Sequence, residues 1–131
     1  MSGLTPALGN LAGWHRSARG PLAPFFEAQA QLNRALNEDS GVALALLDDL
    51  SRAAKEAKRW LLRNPCPDSY LQRHFLGVIK GDLSLTHVLR ELDGTPESSS
   101  RDALSREVGR CIAVIRQHSE AIDRWKEDQD A

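Results

Sequence analysis

Asp82 is the first residue in this sequence whose type and position could support chemistry. It interrupts an apolar stripe at helical spacing, where burial of a carboxylate is costly unless a partner is present. If the flanking helices fold back as antiparallel hairpins, Asp82 comes level with Asp49 on one side and with Cys111 or Ile112 on the other. A close pair of Asp49 and Asp82 would raise the pKa of one carboxyl and mark a proton-handling or metal site. The alternatives are a buried Asp82 with another partner, or a rotated helix that leaves it in solvent.

Two histidines form a second candidate site. The same fold-back places His118, in an apolar seam, level with His74, so that two imidazoles could share one layer. Such a pair could bind a transition metal or respond to pH near about 6.5. The alternative leaves His118 at the edge of the core, bonded to a backbone group or to the Tyr70 hydroxyl, with His74 in solvent. If the bundle binds a small molecule or a metal, Asp82, His74 and His118 are the residues expected to line its interior pocket.

Cys66 is a third candidate because it lies two residues before Asp68, the expected N-cap of a helix. Backbone amides and the dipole at a helix N-terminus could lower the pKa of a thiol and favour the thiolate. No assigned base accompanies Cys66, so an inert loop thiol is the simpler interpretation. Cys111 is expected in the core, and the two cysteines form no CxxC pair, which predicts free thiols.

Charged and aromatic residues indicate where a partner could bind. Four basic residues fall within an arc of about 80° on the helix predicted over residues 40–63 and could bind phosphate or an acidic partner; they are Arg52, Lys55, Arg59 and Arg63. The helix dipole alone also favours cations there, so a solvated helix end is the alternative. From Gln117 onward the chain has five acidic and two basic residues, which a second copy could complement. Of the three tryptophans, Trp125 is the one we predict to anchor an interface.

Motifs of established catalytic and metal sites do not occur. None of the four histidines follows a Glu at the three-residue spacing of ferritin-like di-iron bundles, and HExxH is absent. The sequence also contains no GxSxG elbow, no phosphate loop and no GxGxxG fingerprint. We therefore predict no catalytic residue, no resident metal and no cofactor.

The elements that must position these residues are helices. The chain has 19 Leu and 16 Ala against 5 Val, 4 Ile and 3 Thr, which favours helix over strand, and no stretch alternates with period two. Apolar spacing predicts five helices: about 4–19, 24–37, 40–63, 69–92 and 99–125, with Gly20-Pro21 separating the first two. Asp39 or Ser40 is expected to cap the third.

One compact all-α domain of 131 residues is therefore expected, an up-and-down bundle of four to five helices. Residues 1–38 should form short N-terminal helices, and 39–131 a core of three long antiparallel helices. Gly77 and Gly81 of the fourth helix should let it approach Ala53, Ala54 and Ala57 of the third closely.

Composition limits the function further. The net charge of −1 does not favour bulk nucleic-acid binding, and the longest apolar run, Val42–Leu47, is far shorter than the roughly 20 residues of a membrane helix. The N-terminus lacks the basic region of a signal peptide, so a cytoplasmic protein is expected. We predict a non-catalytic module that binds a protein partner or a second copy of itself. A small-molecule- or metal-binding bundle, with or without enzymatic activity, is the alternative.

Overall fold

Four α-helices make up the part of the chain that the structure describes. The structure is a computed structural model, and it describes residues 4–38, 41–95 and 99–130. The helices are α1 (Leu4–Asn37), α2 (Leu44–Arg63), α3 (Ser69–Asp93) and α4 (Ser99–Asp130). Each helix packs against the next one along the chain. The predicted all-helical class is confirmed.

α1 is one helix of 34 residues, so the prediction of two short helices separated at Gly20-Pro21 is wrong. Pro21 and Pro24, the two prolines beyond the first turn of α1, lie on its exposed side. Because proline has no N–H, the carbonyls of Ser17 and Gly20 lose their intrahelical donors. Both of these residues are exposed, so water can satisfy their carbonyls.

An apolar stripe keeps α1 continuous across the prolines. Its buried members are Ala18, Leu22, Phe25, Ala28 and Leu32. Burial of a large apolar side chain contributes about 1.5–3 kcal/mol, and a proline inside a helix costs about 3 kcal/mol. Burial of Leu22, Phe25 and Leu32 therefore offsets the free-energy cost of the two prolines. This burial depends on the other helices, so it cannot be predicted from the local sequence.

α2 begins at Leu44, four residues later than predicted. Its N-cap residue, Ala43, has extended backbone and makes no side-chain cap hydrogen bond. Gly41 adopts a φ of +69°, a left-handed conformation that favours glycine and turns the chain into α2. The expected caps Asp39 and Ser40 lie outside the described residues.

α3 begins as predicted, because the carboxylate of Asp68 accepts a hydrogen bond from the backbone N–H of Leu71 at 3.0 Å. It packs against both α2 and α4, and its buried residues lie on more than one face. The antiparallel pairing with α4 is visible in the contacts of His74 with His118 and of Asp68 with Trp125. α3 is therefore the central helix of the bundle, as its two apolar stripes predict.

Gly77 and Gly81 face α4, so their predicted packing against the alanines of α2 is wrong. A Cβ atom on Gly77 would lie 2.5 Å from Nε2 of His118, and one on Gly81 would lie 2.6 Å from Cγ1 of Ile115. The glycines make room for two bulky side chains of α4. The heights of residues along the bundle do not reveal whether a glycine faces a large side chain or a small one.

None of the helices in the described part of the chain combines the length and the apolar content needed to cross a membrane.

We expect Gly81→Ala to destabilise the fold by about 1–3 kcal/mol. The added Cβ overlaps Cγ1 of Ile115, an atom near the backbone of Ile115 that cannot move aside easily. Gly109→Ala is the matched control, since no described atom lies within 4 Å of a Cβ there. This variant should be neutral or more stable by up to ~1 kcal/mol, the difference in helix propensity. Urea unfolding of both variants measures the effect, and equal midpoints would contradict the close α3–α4 packing.

Candidate functional site

Asp82 is buried in the core with one hydrogen-bond partner. Its side chain is 2% exposed, and Nε2 of Gln29 donates to its Oδ2 at 2.5 Å. Burial raises the pKa of the Asp82 carboxyl from 3.8 to about 7, and the hydrogen bond from Gln29 offsets part of this rise. The carboxyl therefore titrates near neutral pH inside an apolar environment.

The predicted pair of Asp49 and Asp82 does not form. Asp49 is exposed on α2 and lies 3.6 Å from Arg52, one turn along the same helix. The partner of Asp82 comes instead from α1, where Gln29 follows the buried Phe25 by four residues and so lies on the same helix face. Sequence reasoning missed Gln29 because α1 was expected as short separate helices; a polar residue on the apolar stripe of α1 was the available signal.

His74 and His118 lie in contact between α3 and α4. Their Nδ1 atoms are 2.8 Å apart, and the ring of His118 covers the backbone of Gly77. Tyr70 meets the His74 ring edge-on, with centroids 4.4 Å apart. The hairpin geometry of the sequence places the two imidazoles at the same height, as the structure does. The alternative, a bond from His118 to Tyr70 or to a backbone group, is not what the structure shows.

Only one of the two facing Nδ1 atoms can carry a hydrogen while the other accepts it. The pKa of His74 is lowered, chiefly by burial and then by the positive charge of His118, Arg73 and Arg124. With both rings protonated, two N–H groups would face each other and the hydrogen bond would be lost. The pair is thus a neutral or singly protonated link between α3 and α4.

Asp82 and the histidine pair occupy separate places in the bundle. Asp82 follows His74 by eight positions in α3, which corresponds to about 12 Å along the helix. Asp82 bonds to α1, whereas the histidines connect α3 to α4. Within the three described stretches, no group of three or more His, Cys, Asp or Glu side chains could hold a metal ion.

The cysteines are buried and free. Burial raises the pKa of the Cys66 thiol, and this outweighs the lowering by a backbone hydrogen bond at the start of α3. Burial also raises the pKa of Cys111, which lies in the core as predicted. Both thiols therefore stay protonated at neutral pH, which agrees with the interpretation of Cys66 as inert.

The predicted interface residues lie on different sides of the bundle. Arg52, Lys55, Arg59 and Arg63 are exposed on α2. Trp125 is half-buried on α4, and its indole N–H donates to the Asp68 carboxylate at 3.2 Å. This bond fixes the indole ring against the start of α3. The exposed part of the Trp125 ring is therefore held in one orientation.

An apolar groove opens between α1 and α4, with α3 as its floor. It has a volume of about 960 Å³. Its apolar lining includes Leu11, Trp14, Leu22, Phe26, Phe75 and Trp125. Every ionisable residue along its edge is basic: His15, Arg16, Arg19 and Lys126. Sequence reasoning missed this groove because it exists only where the continuous α1 passes beside α4.

Comparisons of the chain with protein families, with curated proteins and with solved structures found no match.

We expect Asp82→Asn to change how stability depends on pH. Between about pH 4 and 7 the folded protein holds a proton on Asp82 that the unfolded chain has released, so this group makes the free energy of unfolding decrease as the pH rises. The shift of about three pKa units corresponds to roughly 4 kcal/mol. The free energy of unfolding of Asp82→Asn, relative to that of wild type, should therefore rise by up to this amount between pH 4 and pH 8.

Urea unfolding at pH 4, 6 and 8 measures this gain. Asp49→Asn is the matched control, because it removes an exposed carboxylate and should follow wild type across the range. A constant difference between Asp82→Asn and wild type at all three pH values would show that the carboxyl does not titrate in this window.

Proposed function

We propose that this protein is a cytoplasmic, non-catalytic dimerisation module, in which the groove between α1 and α4 packs against the same groove of a second copy. The observation that supports the proposal most is the groove itself, an apolar floor bordered by two helix segments of opposite net charge. The free, buried thiols of Cys66 and Cys111 support a reducing compartment.

The two helix segments that border the groove differ in net charge, although the ionisable α4 residue that lines the groove itself is Lys126. Residues 11–26 of α1, the basic segment, contain Arg16 and Arg19 and no acidic residue. Residues 120–128 of α4, the acidic segment, contain four exposed carboxylates and two basic residues. An isologous dimer requires a surface that is complementary to itself, and this surface carries both signs of charge beside an apolar strip.

The charge pattern also selects the symmetry of the dimer. The basic segment and Trp125, within the acidic segment, line the same groove and so lie at the same level of the bundle. A two-fold axis parallel to the helices places the basic segment of each copy against the acidic segment of the other. An axis across the helices would place basic segment against basic segment, which repulsion disfavours.

The residues of the groove are those that contribute most at protein interfaces. Aromatic and Arg side chains are enriched at interface hot spots, and the groove contains Trp14, Phe26, Trp125 and two arginines. Phe26 is 44% exposed in the single chain, although it belongs to a residue type that is usually buried. A second copy would cover it.

We expect charge reversal on either wall to weaken the dimer and reversal on both to restore it. Arg16→Glu with Arg19→Glu makes the basic segment acidic, and Glu127→Arg with Asp128→Arg makes the acidic segment basic. Each pair of changes should raise the dimer Kd at least tenfold, or about 1.4 kcal/mol, and the combined variant should recover most of the affinity. Sedimentation equilibrium at low salt measures these constants.

The matched control is Arg59→Glu with Arg63→Glu, which reverses two exposed arginines of the α2 stripe. This variant should dimerise as wild type does. A wild-type chain that stays monomeric at about 100 μM, so that its association free energy is weaker than roughly −5.5 kcal/mol, would contradict the proposal. Dissociation by the α2 reversal alone would show that the basic stripe is the interface.

A further inference from the structure

A small cleft continues from the groove into the core of the bundle. It has a volume of about 160 Å³ and lies among α1, α3 and α4, with Leu61 of α2 also in its wall. Leu22, Phe26 and Phe75 line both the groove and the cleft, so the two are continuous. A ligand in the groove could therefore enter the core without opening the bundle.

The size and the lining of the cleft suit one aromatic ring. A dry protein cavity of about 150 Å³, lined by Leu, Ile and Phe, is large enough to bind benzene. Three phenylalanines line the cleft here, Phe25, Phe26 and Phe75, and Phe25 meets Phe26 edge-on with centroids 5.4 Å apart. Aromatic pairs favour such edge-to-face and offset arrangements, which a further ring can extend.

Four polar residues line the cleft: Gln29, Ser119, Asp123 and Lys126. Asp123 and Lys126 are exposed to solvent, whereas Gln29 is held by a bond to the core, so Gln29 is the group that we expect to select the ligand. Gln29 lines the cleft and donates through Nε2 to the buried Asp82. This bond fixes the orientation of the amide and leaves its Oε1 as an acceptor. The carboxyl of Asp82 is itself buried, so the ligand group that meets the amide should be a neutral donor such as a hydroxyl.

We propose that the cleft is a binding site for neutral single-ring aromatic molecules that carry one hydrogen-bond donor, the class of phenol. The ring occupies the space among the three phenylalanines, and the hydroxyl donates to Oε1 of Gln29. All residues of the site belong to one chain, so the site is complete without the dimer proposed above, and it extends the function to a small ligand. Because that dimer would cover the groove from which the cleft opens, phenol binding is measured at a protein concentration below the dimer Kd.

Phenol and benzene are the probes for this site. We expect phenol to bind the wild-type protein about fivefold to tenfold more tightly than benzene, because only phenol bonds to the amide. In ¹H–¹³C NMR spectra, phenol should give nuclear Overhauser effects to the methyl groups of Val78, Ile79 and Ile122, which line the cleft. Benzene that binds as tightly as phenol would overturn the assignment of Gln29, and absence of these effects at saturating phenol would overturn the site.

Val78→Phe places a ring in the cleft and should weaken phenol binding at least tenfold. Val88→Phe is the matched control: the same change on the same helix, at a buried residue outside the cleft lining. It should bind phenol as wild type does. Equal losses in the two variants would contradict the site, and the NMR measurement tests it on unmodified protein if either variant fails to fold.

Discussion

The packing of α1 along the bundle is the constraint on which the other features depend. Its buried stripe, from Ala18 to Leu32, keeps the helix continuous through Pro21 and Pro24. α1 packs along α2 and contributes Gln29 to the core of α3, while the gap toward α4 stays open as the groove. The groove, the cleft below it and the environment of Asp82 all follow from where this one helix lies.

Two polar contacts inside the bundle connect helices to one another. Asp82 bonds to α1 through Gln29, and His74 bonds to His118 of α4, so each of these groups connects α3 to another helix. Burial makes both contacts sensitive to protons in opposite directions, since it raises the pKa of Asp82 and lowers that of His74. Acid therefore relieves the burial of a charge at Asp82 and weakens the contact of the histidines.

Helix type, helix levels and the cap at Asp68 could be predicted from the sequence, because each depends on local spacing or on the geometry of a short hairpin. The level of His74 opposite His118 is the clearest case. Three features could not be predicted. The continuity of α1 depends on tertiary burial, the direction that Gly81 faces depends on helix rotation, and the partner of Asp82 lies 53 residues away in a helix whose path was unknown. The length of the loop in a helical hairpin determines which residues lie at the same height along the bundle, but not which face of each helix turns inward.

Hydroxyl-radical footprinting of the wild-type protein at increasing concentration tests the dimer most directly, because it locates a buried surface without any substitution. The dimer predicts that oxidation of Phe26 falls as the concentration rises through the dimer Kd, while oxidation of Leu62 and Val114, which are exposed outside the groove, does not change. Oxidation of Phe26 that is independent of concentration, or protection of Leu62 or Val114 in its place, would contradict the account.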